Sequence, residues 1–385
     1  MSREFDPRTQ AVRAGLESDP STGAVVPPLH LSSTYAFPEF GVKGRYDYSR
    51  SGNPTRDLLA NAINDLEGGK GTVVTGSGMA AIALVGQILP HHSRIIAPHD
   101  CYGGTFRLLS AWHKRGDHRV EFVDFANASA VAAAFASPAA LCWIETPSNP
   151  LLRITDIATI AERARKIGAK SVVDNTFLSP ALQNPLALGA DIVVHSTTKY
   201  INGHSDVVGG AVVAATADDA QQLAWWANAL GMTGSAFDSF LALRGLRTLH
   251  ARIGLHEANA NALAHWLAGQ RRIRRVYYPG LASHGGHDLA RRQQRGFGAM
   301  ISIELEGGTA AVKKFVSALK LFSLAESLGG VESLIAHPAT MTHAAMEPAA
   351  RAAAGLVDGL LRLSIGIEAE RDLRDDLADG LAALA

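Results

Sequence analysis

Residues 170–200 read KSVVDNTFLSPALQNPLALGADIVVHSTTKY, and this stretch decides the fold. It contains two short apolar runs, SVV at 171–173 and IVV at 192–194. Each is rich in β-branched residues, too short for a helix and without polar alternation, the pattern of a strand buried on both faces of a largely parallel sheet. Each run also stops at residues that carry chemistry. Asp174 and Asn175 follow the first, and Ser196, Thr197, Thr198 and Lys199 follow the second. In open α/β sheets ligands bind beyond the carboxyl ends of the strands, so these strand ends are where a site is expected.

The same kind of run recurs on both sides: GTVVT (71–75), RIIAP (94–98), VEFVD (120–124), ALCWIE (140–145) and GGAVVAAT (209–216). Helical patterns lie between them, GMAAIALVGQIL at 78–89 and ITDIATIAERARKIG at 154–168, and Leu58, Leu59, Ala62, Ile63 and Leu66 precede them at helical spacing. Strand and helix in alternation predict an α/β layered domain with a mostly parallel sheet. Farther on, one long helix is predicted from Leu246 to Leu267. FGAMISIELEG then reads as a strand, AVKKFVSALK as a helix and LLRLSIGIE as a strand, a smaller α+β domain. Residues 1–48 have few periodic apolar positions and several turn formers (Pro27, Pro28, Gly41, Gly44), and read as an extended arm. The expected division is therefore 1–48, 49–245 and 246–385.

Hydrophobic residues make up 47% of the 385, enough for a buried core. Lys plus Arg and Asp plus Glu balance at 36 each, so there is no basic footprint for nucleic acid or an anionic membrane. Cys101 and Cys142 suit neither a disulfide framework nor a metal motif, and the 15 histidines form no metal-ligand pattern. MSREFDPRTQ lacks the apolar run of a secretory signal, and no stretch approaches the roughly 20 apolar residues of a membrane span. A cytoplasmic protein is expected.

Four strand ends gather the chemistry. After GTVVT come Gly76, Ser77, Gly78 and Met79 and then a helix, a turn whose amides at a helix N-terminus suit a phosphate dianion, although many tight turns look alike. After RIIAPHD come Cys101, Tyr102, Gly103 and Gly104; Tyr102 could lie flat over a planar ring, or be a packed turn tyrosine. Asp174 at the mouth of a buried strand needs a partner, or else caps a turn. Lys199, straight after a buried strand and three hydroxyls, is out of place for a solvated surface lysine. A desolvated lysine amine is a nucleophile suited to imine formation. A phosphate cradle, an aromatic plate, an acid for a pyridine nitrogen and an imine-forming lysine are together what pyridoxal phosphate requires.

Eleven segments then match a known family: VVPPLHLSSTYAF, YSRSGNPTR, SGMAA, DCYGGTFR, IETPSNP, VVDNTFLSPALQNPLALGAD, STTKYINGHSDVVGG, LRGLRTL, AESLGGVESL, MTHAAM and LLRLSIGIE. On these the chain resembles the cystathionine synthase and lyase family of pyridoxal-phosphate enzymes, from about Gly15 to the C-terminus. LAWWANALGMTGSAFDSFLALRGLRTL and RQQRGFGAM are most similar to its bacterial γ-synthase branch. The resemblance implies the aspartate aminotransferase-like fold (fold type I), with an N-terminal arm that reaches a neighbouring subunit, a cofactor domain and a C-terminal domain. It also implies a homotetramer built as a dimer of dimers, with amino acids as the small-molecule substrates.

By motif, the resemblance implies that Lys199 carries the cofactor, Asp174 contacts the pyridine nitrogen and Tyr102 stacks on the ring. It implies that Gly78, Met79, Ser196 and Thr198 hold the phosphate, with Tyr48 and Arg50 from the neighbouring subunit. Arg362 would clamp the substrate α-carboxylate in a bidentate geometry suited to guanidinium, and Asn149 and Ser327 would orient cofactor and substrate. Arg362 could instead be a structural ion pair, Glu326 a fold-stabilising acid and Arg107 a surface residue rather than a ligand for a distal carboxylate. Trp225 and Trp226 read as core or interface.

The reaction implied is γ-replacement, joining the cysteine thiol to an activated homoserine ester to give cystathionine, with Lys199 moving protons and Tyr102 or Tyr48 assisting. Ser51 stands where the closest synthases often carry a second basic residue, and it is the residue of many γ-lyases. Cystathionine γ-lyase activity is therefore the first alternative and sulfide-using sulfhydrylase activity the second. A non-catalytic member of the fold is a third, opposed by the presence of Lys199, Asp174, Tyr102 and Arg362 together.

Overall fold

The structure is a computed structural model; it describes residues 5–341, 351 and 354–384. The segment THAAM at 342–346, part of one matching motif, lies outside the described residues. The chain packs as two compact units, 1–90 with 172–250 and 91–171 with 251–385.

In the first unit the strand order is β1 (Gly71–Thr75), β7 (Gly210–Ala214), β6 (Ile192–His195) and β5 (Lys170–Asp174). β5 and β6 are parallel, and β7 is antiparallel to both β6 and β1. β6 and β7 are buried throughout, as their continuous apolar runs require. The helix Pro54–Glu67 covers this sheet. Asn53 caps it by accepting from the amides of Thr55 and Arg56, Pro54 takes the first turn, and Gly68 ends it in the left-handed region at φ 75°. Leu59, Ala62, Ile63 and Leu66 recur on one face and are buried against Val74, Val193, Val213 and Leu246. Each large side chain stabilises by about 1.5–3 kcal/mol through burial, so Ile63→Asp is the single change that would detach the helix.

In the second unit β2 (Arg94–Pro98) pairs in parallel with both β3 (Arg119–Val123) and β4 (Leu141–Glu145). A second sheet runs β10 (Ser323–Leu324), β11 (Leu334–Ala336), β12 (Leu360–Ser364), β9 (Met300–Leu305) and β8 (Ile273–Tyr277), antiparallel except between β10 and β11. The helices Gly308–Ala318 and Glu370–Ala382 pack together through Phe315, Leu373 and Leu377, all fully buried. An α/β fold with parallel pairing and a second, smaller sheet is thus present as expected.

The helix predicted from Leu246 to Leu267 is present as Leu249–Ala268, with a separate helix, Ala236–Leu246, before it. Between them Thr248 donates from both its amide and its hydroxyl to the Gly245 carbonyl, a local bond that competes with the helical one. The stretch read as extended, 1–48, contains a short helix, Pro7–Arg13, with Asp6 capping and Pro7 in its first turn. Trp225 is exposed in the single chain, edge-on to Trp226 with ring centroids 4.8 Å apart. Among the described residues no helix is long and apolar enough to cross a membrane, and no cluster of side chains suits a metal ion.

Candidate active site

The first unit gathers one set of expected residues at its strand ends. Ser77 caps the helix Gly78–Gln87, its hydroxyl accepting from the Ala80 amide at 3.0 Å. The amides of Gly78 and Met79, the first of that helix, have no intrahelical acceptor. A Cβ at Gly78 would stand 2.8 Å from the Ser196 Cβ and 3.0 Å from its Oγ. Glycine here lets a helix N-terminus and a serine hydroxyl close on one another, a cradle that any other side chain would fill. Gly210 makes a similar close approach, its absent Cβ lying 2.6 Å from Thr75 Oγ1.

Asp174 ends β5 and is half-buried. Burial raises its carboxyl above the ordinary value, against lowering by hydrogen bonds from the Thr176 hydroxyl and amide and by His195. An acid in that condition favours a cation brought beside it. Thr176, which sequence reading passed over, joins the set: its amide donates to Asp174 Oδ1 at 3.0 Å, and its Oγ1 accepts from the Ser196 amide at 2.9 Å. A hydroxyl two residues after an acid at a strand end was the available signal. Lys199 is half-buried, its amide bonded to the Ser196 carbonyl at 3.2 Å and its carbonyl to the Gly203 amide at 2.8 Å. Thr198 Oγ1 is engaged with both the carbonyl and the amide of Gly209, at 3.2 and 3.0 Å. The cradle, the raised acid and the lysine fit pyridoxal phosphate.

Tyr48 and Arg50 lie together on the surface, the guanidinium 5.6 Å from the ring centroid. Arg50 donates to the carbonyl and the side-chain oxygen of Asn228, both at 2.8 Å. The Ser51 hydroxyl is bonded within its own turn, to Asp47 Oδ1 and the Tyr48 carbonyl at 2.7 Å each.

The second unit gathers the other set around two buried charges. Arg362, in the middle of β12 and 3% exposed, donates to Asn149 Oδ1 at 3.1 Å and to the Ser327 carbonyl at 2.8 Å. Ser327 holds φ at +80°, a left-handed conformation that disfavours a non-glycine residue. Glu145, at the end of β4, was also missed. Its Oε2 accepts from the Tyr102 amide at 2.7 Å and its Oε1 from the Asn149 amide at 3.1 Å, so one buried acid holds both expected residues. Asp100 braces the same turn through Ser148 at 2.8 Å and Arg153 at 3.0 Å. Tyr102 is 39% exposed. Burial raises its phenol above the ordinary value, Arg107 and Arg362 pull it down, and Glu326 and Glu145 push it up. Arg107 and Glu326, both exposed, thus act on the same hydroxyl. Cys101 and Cys142 are buried thiols outside any disulfide, and burial pushes the Cys142 thiol up, which makes it unreactive.

The family described as "Cys/Met metabolism PLP-dependent enzyme" matches residues 8–382. Cystathionine gamma-synthase of Escherichia coli (strain K12) is 56% identical over 97% of both chains. A cystathionine beta-lyase of Coxiella burnetii is 48% identical, also over 97% of both. Among solved structures, cystathionine gamma synthase from Xanthomonas oryzae pv. oryzae, in complex with aminoacrylate and cysteine, superposes with a TM-score of 0.98. It is 60% identical and covers 99% of each chain.

Proposed function

The chain belongs to the Cys/Met metabolism PLP-dependent enzyme family, and from that premise we propose that it joins the thiol of L-cysteine to O-succinyl-L-homoserine by replacement at Cγ, giving L-cystathionine and releasing succinate. That it is a pyridoxal-phosphate enzyme of cystathionine metabolism follows from the family and its relatives. The observation that carries the choice of synthase is the 60% identity to a γ-synthase across 99% of both chains.

When bound, pyridoxal phosphate supplies an electron sink for negative charge developing on the substrate. The chain's own residues do the rest. Lys199 Nζ holds the cofactor and moves the proton at the substrate Cα. Asp174 would keep a proton on the ring nitrogen of the bound cofactor, since an acid raised by burial gains from a cation beside it. The amides of Gly78 and Met79 and the hydroxyls of Ser196 and Thr198 bind the phosphate, with Tyr48 and Arg50 supplied by a neighbouring subunit of a homotetramer. Arg362 binds the α-carboxylate, oriented by Asn149 and the Ser327 carbonyl. Tyr102 would stack on the ring of the bound cofactor, and it or Tyr48 would assist the proton at the γ position. Arg107 binds the distal carboxylate of the substrate, and Glu326 belongs to the same substrate-binding set. The division into an arm (1–48), a cofactor domain (49–245) and a C-terminal domain (246–385), and a cytoplasmic location, belong to the same proposal.

One observation favours a second reading. Ser51 brings no positive charge for a succinyl group, and its hydroxyl is bonded within its own turn. Cystathionine γ-lyase activity, releasing cysteine, ammonia and 2-oxobutanoate, is therefore the alternative. One purified sample decides. Cystathionine formed from O-succinylhomoserine and cysteine supports the synthase; 2-oxobutanoate from cystathionine with no synthase product overturns it.

A further inference from the structure

A buried polar cluster lies on the reverse face of the two strands that end at Asp174 and lead into the Ser196–Lys199 segment. Its centre is Glu67, the last residue of the helix Pro54–Glu67, whose side chain is wholly removed from water. One oxygen, Oε1, lies 2.7 Å from His195 Nε2 and 2.8 Å from Asn175 Nδ2. The other, Oε2, takes a longer bond from Asn184 Nδ2 at 3.4 Å. Asn175 is fixed in turn by Gln183, whose carbonyl accepts from its Nδ2 at 2.9 Å and whose Nε2 donates to its Oδ1 at 3.0 Å. His195 and Asn175 are as buried as the acid. A carboxylate in such a place is tolerated only with donors around it, and the donors come from the ends of two different strands.

What those strand ends carry on their other face gives the cluster its meaning. Asn175 follows Asp174, and His195 precedes Ser196. The ladder continues through this point, the Asn175 amide donating to the Val194 carbonyl at 3.0 Å. Successive side chains of an extended strand point to opposite faces. Asp174 and Ser196 therefore share one face, where Thr176 bonds to both. Asn175 and His195 share the other, where a single oxygen of Glu67 holds both. We infer that Glu67, His195 and Asn175 are positioning residues, a clamp that sets the spacing between Asp174 and the Ser196–Lys199 segment from behind the sheet. All three lie on the face of the sheet opposite Asp174 and Ser196. The consequence for cofactor binding rests on the reading given above; the clamp itself does not.

The test uses the apoprotein and compares His195→Gln, Glu67→Gln and the double variant with wild type. Hydrogen exchange is measured at the Thr176, Ser196 and Lys199 amides, and the Kd for pyridoxal 5′-phosphate is read by absorbance. Losing one partner of a buried polar pair is expected to speed exchange at these amides and to weaken the Kd by about tenfold. The double variant should be no worse than the poorer single, because both act through one clamp. A lowered Tm with exchange and Kd unchanged would show that the cluster only fills space, and additive effects would show that the residues act separately. Either result overturns the inference. Should the glutamine variants not fold, Asn175→Ser, which leaves the Glu67–His195 pair in place, carries the same test, and unchanged exchange there rejects the clamp. If wild type takes up no pyridoxal phosphate while the exchange results follow expectation, the cofactor reading has failed and the clamp stands.

Discussion

The two units present their reactive side chains in opposite ways. In 1–90 with 172–250 the groups stand at strand ends and are held by backbone amides, small hydroxyls and a glycine contact: Thr176 to Asp174, Ser196 to Thr176, and Gly78 against Ser196. In 91–171 with 251–385 they are held by two buried charged side chains. Arg362 reaches Asn149 and Ser327, and Glu145 reaches the Tyr102 amide. The first arrangement is made of backbone, glycine and small hydroxyls, which suits a ligand of constant shape that stays in place. The second is made of buried charge braced by distant partners, which suits recognition of a substrate that comes and goes. Damage to the first should therefore appear in cofactor uptake, and damage to the second in substrate kinetics with the cofactor retained.

The largest expected effect tests the first unit. Lys199→Ala should lower turnover by about 10³-fold or more, since positioned acid–base catalysis alone contributes on the order of 10²–10⁴, and the visible absorbance of the loaded enzyme should vanish. Normal turnover with normal colour would remove the basis of the whole assignment. Next is Arg362→Ala in the second unit. It leaves the Asn149 and Ser327 oxygens without their donor, and kcat/KM should fall by about 10²-fold, as for one partner of a buried charged contact, while absorbance is unchanged. A loss of colour instead would show that the two units are not separable in this way. Gly78→Ala should act more gently. A methyl pressed against Ser196 is expected to weaken cofactor binding by about tenfold, roughly 1.4 kcal/mol, with KM unchanged once cofactor is saturating.

The same contrast explains what was legible in the sequence. The strand ends at Asp174 and Lys199 and the Gly78 turn are readable because each lies in one short segment whose apolar run and punctuation sit side by side. Glu145 was visible only as the end of ALCWIE, because one of its partner amides is that of Tyr102, and no local pattern announces a contact made by folding. The resemblance supplied Arg362 and Asn149; spacing did not show that one bonds the other. The Pro7–Arg13 helix carried readable signals in Asp6 and Pro7, but Ala11 is its only buried residue, too little periodicity to outweigh the turn formers around it.

The smallest effect contrasts one acid of the first unit with two histidines of the second by the sign of their response to pH. Burial raises the Asp174 carboxyl in the first unit, so above its ordinary value of 3.8 the folded apoprotein binds more protons there than the unfolded chain. Stability conferred by that group falls as pH rises through the interval and stays reduced at neutral pH. Burial lowers His256 and His284 in the second unit to about 4, from 6.5. Between those values the unfolded chain binds more protons, so their contribution is complete above 6.5 and is lost as pH falls towards 4. Urea unfolding of the apoprotein at pH 5 and 7.5 checks both. Asp174→Asn, which keeps an acceptor for the Thr176 amide, should be more stable than wild type by about 1 kcal/mol at pH 7.5, an advantage that shrinks towards acid. His256→Gln should lose most, relative to wild type, at pH 7.5 and less at pH 5, where wild type has itself begun to lose the benefit of a neutral imidazole. If Asp174→Asn is the less stable protein at pH 7.5, hydrogen bonding outweighs desolvation at that acid. Asp174 would then be a structural anion, satisfied before any cofactor arrives.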